Sequence, residues 1–437
     1  MTLARRSAGQ KRWLGALAIT ATIAACGTGS AGSSGSASSG GGVTGGPGVD
    51  SNAKTINLGI LTPLSGPAAV IGKPLTLGQE SWFKHVNDNG GINGWKITYV
   101  EKDNKYDPQL HATLFQQILP DVAFIAQSLG SPTTQAIQSQ ADSQKVPIGA
   151  ATQSSSWLYD PVMITVGTPY AADAANAMDY IVNQLGKKDA KIGIIYQNDD
   201  YGKSGLQGYK TAQGMLHFND VGEEPFNVTD TSYLSQILDL KSKGAQYVYV
   251  VALPTAAATM VGTGFQAKFL PQWVFEGPAW SEYLMTDTGI ASGTPTKVAP
   301  LMKGVWVLGY TAQWGDTSVP GMQQFLADQQ KYAPNQIPDY YYEYGYGMAN
   351  VETAIIKKAL ESGDLSRAGL LKARENLGQF SLGGLLPPVN YTPSLGPASL
   401  ASYVSAVDPT TVAFLKVIAP ASESDSAKAN DYKAPVT

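Results

Sequence analysis

The chain has 437 residues, with 30 Lys and Arg against 34 Asp and Glu, a formal net charge of −4 and one cysteine. This length exceeds what a single hydrophobic core usually serves, so two lobes are expected. An acidic chain is a poor partner for nucleic acid or an anionic bilayer, and one cysteine excludes an internal disulfide or a site built from several thiolates.

The N-terminus is typical of an export signal. Four basic residues fall within residues 5–12, an apolar run follows over residues 13–25, and Cys26 ends it. These are the parts of a secretory signal, and the run is too short for a permanent membrane span. Residues 23–26 (Ile-Ala-Ala-Cys) also resemble the lipobox of bacterial lipoproteins, which implies cleavage of a signal peptide, residues 1–25, and lipidation of Cys26. An ordinary secretory signal with a chance cysteine is the alternative.

Residues 26–53 are predicted to form a lipidated cysteine and a flexible linker. After Cys26 the segment is mostly Gly, Ser, Ala and Thr, and Asp50 is its one charge. Such a composition buries too little apolar surface to fold. A coil of roughly 27 residues spans about 30 Å root-mean-square. Loss of the four basic residues of the signal moves the net charge from −4 to −8, so we expect an acidic body tethered to the outer face of the cytoplasmic membrane.

The body alternates strand-like and helix-like segments, which favours an α/β fold with parallel sheets. Asp107 and Pro108 supply an N-cap and a first-turn proline, and residues 89–91 (Asn-Gly-Gly) end a helix. The pattern restarts after Tyr170. The predicted strands are residues 55–61, 95–101, 122–126, 146–149, 191–196, 247–251, 272–275, 305–308, 403–407 and 411–417, and the clearest helices are residues 75–87 and 340–360.

Several loops after these strands resemble one family. In order, the matching stretches are residues 58–66 (LGILTPLSG), 89–94 (NGGING), 199–202 (DDYG) and 380–384 (FSLGG). They are similar to the solute-binding proteins of branched-chain amino acid ABC transporters, the leucine/isoleucine/valine-binding family with the type I periplasmic-binding-protein fold. The resemblance covers about residues 54–400.

The resemblance implies an α/β fold of two Rossmann-like lobes around a central ligand cleft, joined by three crossovers. The N-terminal lobe would take residues 54–168 and 311–396, and the C-terminal lobe residues 169–310 and 397–437. In open α/β sheets ligands bind at the carboxyl ends of the strands, which is where the Gly-, Ser-, Thr- and aromatic-rich loops of this chain fall.

The resemblance also implies ligand-binding residues. Ser131 matches a hydroxyl that holds the ligand carboxylate, and Ala150 and Thr152 match a second segment that contacts it. Free N–H groups at a helix start and a nearby hydroxyl make an anion site, although both hydroxyls also suit helix caps. Tyr201 matches a tyrosine that closes over the ligand, with a surface-loop aromatic as the alternative.

The second lobe departs from amino-acid binders. The position of a family tyrosine falls at Leu253 and Pro254, and the acidic residue that receives the α-ammonium is represented only by a displaced Glu276. An ammonium buried without a carboxylate costs several kcal/mol, so recognition of an α-amino acid is in doubt. An apolar or aromatic-lined cleft is the expected substitute, with core packing as the alternative for each tryptophan. Its candidate residues are Trp280, Trp157, Tyr201, Tyr310 and Trp314.

Motifs for catalysis are missing. His85, His111 and His217 are not spaced as metal ligands, and no Gly-x-Ser-x-Gly elbow occurs. Residues 262–267 imitate a dinucleotide fingerprint, but they end a helix and precede a strand, which is the reverse of the required order. We therefore expect no enzyme, no cofactor and no metal.

Together these features predict a membrane-anchored extracytoplasmic solute-binding protein of an ABC importer. It would capture a small amino-acid-like, carboxylate or aromatic solute by closure of two lobes. The expected partners are the solute, the transmembrane subunits of an ABC permease and, through Cys26, the membrane; nucleic acid is not expected, and the protein is predicted to be a monomer. A ligand-sensing receptor or an adhesion module on the same fold are the alternatives.

Overall fold

The computed structural model describes residues 43–392 and 399–434, which belong to one compact unit. The predicted signal peptide, the lipidation site at Cys26 and most of the predicted linker lie outside these residues. Within the described part of the chain, no helix has the length and apolar character needed to cross a membrane.

Strands and helices alternate through most of the described chain. The strands are β1 (Val49–Asp50), β2 (Thr55–Thr62), β3 (Lys96–Asp103), β4 (Ile125–Leu129), β5 (Ile148–Ala151), β6 (Met163–Thr165), β7 (Lys191–Gln197), β8 (Asn219–Phe226), β9 (Tyr247–Val251), β10 (Gln272–Phe275), β11 (Trp306–Gly309), β12 (Ser402–Val407) and β13 (Leu415–Ser422). The helices are α1 (Ala69–Asp88), α2 (Pro108–Ile118), α3 (Ser131–Gln144), α4 (Tyr170–Asp179), α5 (Asp200–Leu216), α6 (Leu234–Lys243), α7 (Pro254–Gln266), α8 (Ala299–Met302), α9 (Met322–Tyr332), α10 (Tyr340–Glu361), α11 (Arg367–Glu375) and α12 (Asp425–Ala429).

The first lobe is built on the sheet that contains β1 to β6. Strands β3, β2, β4, β5 and β6 are parallel in that spatial order, and β1 pairs antiparallel with β2. The strands are largely apolar because helices cover both faces of a parallel sheet. One face packs on α1 and α10 through Leu58, Phe124 and Ile355, and the other packs on α2 and α3 through Phe115 and Ile137.

The second lobe is built on the sheet that contains β7 to β13. Strands β8, β7, β9, β10 and β11 are parallel in that order, and β12 and β13 continue the sheet antiparallel beyond β11. Its two faces bury separate apolar clusters, one around Ile194 and Tyr249 and the other around Val250 and Phe275.

The chain passes between the lobes three times. The first crossover joins β6 to α4, and the second joins β11 to α9, which packs with α10 on α1 in the first lobe, where α11 packs on α10. The third lies between α11 and β12. The predicted α/β class, with two lobes and three crossovers, is therefore confirmed.

Three local expectations were wrong. The third strand lies at Ile125–Leu129 rather than residues 122–126, because Gln127 is satisfied inside the lobe by the hydroxyls of Thr62 at 2.7 Å and Thr76 at 3.1 Å. Strand 411–417 is instead a turn followed by β13. The described end of the predicted linker is structured, since β1 pairs with β2.

Candidate functional site

A cleft with about 470 Å³ of empty space lies between the lobes. It is lined by residues at or after the carboxyl ends of eight parallel strands, β3 to β7 and β9 to β11, together with α1 and α10, as expected for open α/β sheets. The lining residues are Ile71, Leu75, Tyr106, Leu129, Gly130, Ser131, Ala151, Thr152, Tyr170, Tyr201, Leu253, Pro278, Tyr310, Tyr340, Tyr341 and Tyr344.

Two hydroxyls form the most polar part of the cleft. Ser131 Oγ and Thr152 Oγ1 lie 2.6 Å apart, and the Tyr170 hydroxyl donates to Thr152 Oγ1 at 3.3 Å. Ser131 opens α3, whose first-turn N–H groups have no intrahelical acceptor. Gly130 precedes it at φ 104°, and a Cβ there would lie 2.5 Å from the Tyr106 ring. A helix start and two hydroxyls that converge in this way suit a carboxylate.

Tyrosines form most of the remaining wall. The Tyr201 ring meets Tyr170 edge-on with centroids 4.8 Å apart, and its hydroxyl donates to the Ala252 carbonyl at 3.3 Å. Tyr310 contacts Tyr340 and Tyr344 in similar edge-to-face geometry, at 5.8 and 5.7 Å. Such pairs are specific contacts that hold aromatic rings in fixed orientations, so the cleft presents ring faces and hydroxyls to a ligand.

Formal charge is missing from the lining. Among the described residues that line the cleft, none is Asp, Glu, Lys, Arg or His. The apolar remainder includes Ile71 and Leu75 of α1 and Leu253 and Pro278 of the second lobe. A solute in this cleft therefore meets hydroxyl donors and apolar surface but no counter-charge.

Glu276 lies behind the cleft lining. It is fully buried, accepts a hydrogen bond from the Tyr249 hydroxyl on one oxygen and has no partner on Oε1 among the described residues; Asp173, which accepts from Ser402, lies beside it. Burial first, and then the neighbouring Asp173, raise the pKa of Glu276 well above its usual range. Because Glu276 does not line the cleft and its burial disfavours the charged form, it is poorly placed to receive an α-ammonium.

Some of the other predicted site residues line the cleft, and some do not. Ser131, Thr152 and Tyr201 are brought together in the cleft, and Tyr310 lines it as well. Ala150 lies one residue before the lining and offers its carbonyl to Tyr344 at 3.4 Å. The Trp280 ring is buried in the core of the second lobe, and only its carbonyl, which accepts from Tyr341 at 2.7 Å, approaches the cleft.

The two remaining tryptophans also lie outside the cleft. Trp157 is buried in the core of the first lobe, and Trp314 packs on Phe325 with ring centroids 4.7 Å apart. The ligand contacts of all these residues stay predictions, because their placement alone does not test binding.

Sequence reasoning missed Tyr106, Tyr170 and the three tyrosines of α10, which are Tyr340, Tyr341 and Tyr344. A signal for Tyr106 exists, since it follows the carboxyl end of β3 as ligand-binding loops do. The tyrosine-rich start of α10 was visible too, but periodicity does not say which of its tyrosines face a cleft rather than a core.

A buried polar network supports Tyr106 and the α3 loop. Asn104 Nδ2 donates to His111 Nδ1 at 2.9 Å, which leaves Nε2–H to donate to Ser128 Oγ at 3.0 Å. Asn104 Oδ1 accepts the Tyr106 N–H at 2.9 Å and holds this residue at φ 62°. Burial lowers the pKa of His111 to about 3, so it is a neutral bridge rather than a charged ligand.

The lobes meet around the cleft. The Tyr341 hydroxyl of the first lobe bonds the Trp280 carbonyl of the second, and Ser155 Oγ lies 2.9 Å from Ser204 Oγ. These bonds hold the lobes together over a largely enclosed space. No group of acidic, His or Cys side chains in the described residues is placed to hold a metal ion.

Buried carboxyls make stability depend on pH. Burial raises the pKa of Asp173 and of Asp339 from 3.8 to about 7. Their contribution to the free energy of unfolding is therefore fully present below pH 3.8 and is lost as the pH rises towards 7. Burial also raises the pKa of Glu276 and of Glu282 well above the usual range, so these carboxyls act in the same direction. His111, whose pKa is lowered from 6.5, instead loses its contribution to stability as the pH falls below 6.5, so it does not change stability above that pH. We therefore expect the free energy of unfolding to fall between pH 6.5 and pH 8.

Urea denaturation at both pH values measures this fall. Asp339→Asn should make this fall smaller, by less than about 1.4 kcal/mol, since only the upper end of the Asp339 window, near pH 7, lies in this interval. The exposed Asp189→Asn is the matched control and should leave it unchanged. Equal or greater stability at pH 8 in the unmodified protein would contradict the assignment of neutral buried carboxyls.

Comparisons with known proteins agree on a family. A family model described as "Periplasmic binding protein" matches residues 55–411. A solved structure, the fatty acid ABC transporter substrate-binding protein from Thermomonospora curvata, is similar with a TM-score of 0.82 and 28% identity, over 90% of this chain and 98% of that one.

Two curated relatives match this chain at lower sequence identity and over a smaller part of its length. Leu/Ile/Val-binding protein homolog 3 of Brucella melitensis is 24% identical over 199 residues, which are 44% of this chain and 53% of the relative. Homolog 7 of Brucella abortus is 27% identical over 320 residues, 70% of this chain and 76% of the relative. The chain thus spans about half the length of the first of these relatives.

Proposed function

We propose, on the premise that this chain belongs to the periplasmic binding protein family, that its cleft binds a carboxylic acid with an apolar or aromatic body and no α-ammonium group. The carboxylate would lie at Ser131 and Thr152, where two hydroxyls and the first turn of α3 converge. The body of the solute would lie among the tyrosine rings. Closure of the lobes would complete the capture.

The observation that carries the proposal is the contrast between the two sides of the cleft. One side offers an anion site, whereas no described lining residue carries a negative charge for a cation. Glu276 is the acidic candidate from the sequence, but it is buried, bonded to Tyr249 and does not line the cleft. An unpaired buried ammonium costs several kcal/mol, which disfavours amino acids. The similarity to a substrate-binding protein described as a fatty acid transporter component supports the same choice.

Delivery to a membrane importer and a lipid anchor are the other parts of the proposal. The lipobox-like residues before Cys26 support an anchor on the outer face of the cytoplasmic membrane, and the family supports a permease as the receiving partner. The permease would hydrolyse ATP, so this chain supplies binding and closure only. Cys26→Ala should release the protein from the membrane fraction of cells, and retention of the variant there would refute the anchor.

A thermal-shift panel tests the choice of solute. Aliphatic and aromatic carboxylic acids, their amides and α-amino acids are compared at 1 mM, with small-angle scattering to detect closure. A ligand with micromolar Kd stabilises the folded state by about 4 kcal/mol at this concentration. We expect shifts with acids and not with their amides. The proposal fails if only α-amino acids, or no compounds, raise the melting temperature.

A further inference from the structure

A second cavity adjoins the cleft. It has about 580 Å³ of empty space and lies between the N-terminus of α10, the segment after β11, and strands β12 and β13. Much of its wall is apolar, including Val307, Leu308, Leu415 and Val417. Val412 at its rim is 60% exposed, so this cavity opens to solvent.

Tyr340 stands between the two cavities and lines both. Its ring lies over two glycines, because a Cβ on Gly309 would come within 3.2 Å of the ring and one on Gly277 within 3.4 Å of the hydroxyl. The buried hydroxyl faces that of Tyr310 but meets no hydrogen-bond geometry with any described residue. The hydroxyl of the adjacent Tyr341, in contrast, is fixed by the bond to Trp280. The Tyr340 ring is therefore held by its edge-to-face contacts with Tyr310 and Tyr341 but by no hydrogen bond of its hydroxyl.

Three carboxyls also line the second cavity, and they are compatible with an apolar occupant. Asp339 caps α10 by accepting the N–H groups of Tyr341 at 2.8 Å and Tyr342 at 3.0 Å, and it shares a hydrogen bond with Glu282. Burial raises the pKa of Asp339 to about 7 and those of Glu282 and Glu343 well above their usual range. Burial therefore disfavours the charged form of all three carboxyls, which makes this wall less hostile to an apolar chain.

We propose that the two cavities form one elongated site for a monocarboxylate, with the carboxylate at Ser131 and Thr152 and an apolar chain that passes Tyr340 into the second cavity. This inference rests on the proposed function, from which it takes the anion end. It adds a substrate class, unbranched acids too long for the cleft alone, and makes Tyr340 a movable partition between the two compartments.

A chain-length series tests the elongated site. The dissociation constants of butanoate, hexanoate, octanoate, decanoate and dodecanoate are measured by calorimetry with the purified protein at pH 6. Each CH₂ that leaves water should tighten binding roughly fourfold, and we expect the gain to continue to decanoate or beyond. Affinity that peaks at butanoate or hexanoate would overturn the elongated site and leave the proposed function intact. If no acid of any length binds, both proposals fall.

Two variants locate the far end of the chain. Ser405→Phe on β12 and Thr311→Trp on the half-buried crossover each place an aromatic ring at the second cavity, and neither residue lines the cleft. Both variants should weaken the binding of decanoate by tenfold or more and leave the dissociation constant of butanoate within twofold of wild type. The retained binding of butanoate also shows that the variant is folded. Suppose instead that a variant keeps the wild-type melting temperature and either loses the same affinity for both acids or loses none for either. The chain would then not enter the second cavity.

Discussion

Replacing Ser131 and Thr152 by alanine is expected to produce the largest loss of ligand binding. A hydroxyl that donates a hydrogen bond to a charged group contributes about 1.5–3 kcal/mol to binding. Each single variant should therefore weaken the binding of a carboxylic acid by roughly 10- to 150-fold. The two hydroxyls lie 2.6 Å apart, and effects of residues in contact are not additive. The double variant should therefore lose a different amount from the sum of the single losses.

Calorimetry with one acid and its amide measures this loss. The matched control is Ser81→Ala, since Ser81 is a fully buried serine of α1 whose hydroxyl bonds the Leu77 carbonyl at 2.8 Å and does not line the cleft. It should keep the affinity of the unmodified protein. Unchanged acid binding in both Ser131→Ala and Thr152→Ala would remove the carboxylate site.

Gly345→Ala is expected to cause a large loss of stability. Helices α1 and α10 approach each other at two glycines, where a Cβ on Gly345 would lie 1.9 Å from the Leu75 carbonyl oxygen and one on Gly78 2.1 Å from that of Tyr342. Both obstacles are backbone atoms, so no side-chain rotation relieves the clash. The helices must move apart, at a cost of about 3 kcal/mol or more, the upper end for overpacked cores.

This crossing also shapes the cleft. Leu75 and Tyr344 line the cleft beside the crossing, so Gly345→Ala should weaken ligand binding as well as lower the urea midpoint. Gly214→Ala is the matched control, because Gly214 is an exposed position of α5 where an added Cβ meets no atom within 4 Å. There alanine should stabilise by about 0.5–1 kcal/mol. A Gly345→Ala protein as stable as the unmodified one would contradict the close crossing.

The sequence predicted those parts of the fold that depend on local pattern. Strand β9 has the bounds that its apolar run predicts, Tyr247–Val251, because a strand buried on both faces is continuously apolar. Asp107 caps α2 through the N–H groups of Gln109 and Leu110, as its type and position predict. Interleaving of the lobes came only from the resemblance, since nothing in a strand's composition says which sheet it joins.

Predictions that depended on long-range contacts were weaker. Glu276 was a displaced candidate for an α-ammonium partner, whereas the fold buries it beside Asp173 and Tyr249, and burial raises its pKa well above the usual range. Trp280 was a candidate for the cleft because of its position after a strand, but its ring turns into the core. The strand predicted at residues 122–126 lies at Ile125–Leu129, where the fold supplies the hydroxyls of Thr62 and Thr76 to Gln127.

Calorimetric titration with leucine and with 4-methylpentanoate tests the central claim most directly, because the two solutes share a carbon skeleton and differ in the α-amino group. If the cleft offers Ser131 and Thr152 to a carboxylate but no charge to an ammonium, 4-methylpentanoate should bind at least tenfold more tightly than leucine, since an unpaired buried ammonium costs several kcal/mol. Leucine that binds as tightly as the acid, or more so, would mean that Glu276 or a neighbour receives the ammonium and that the account of this cleft is wrong.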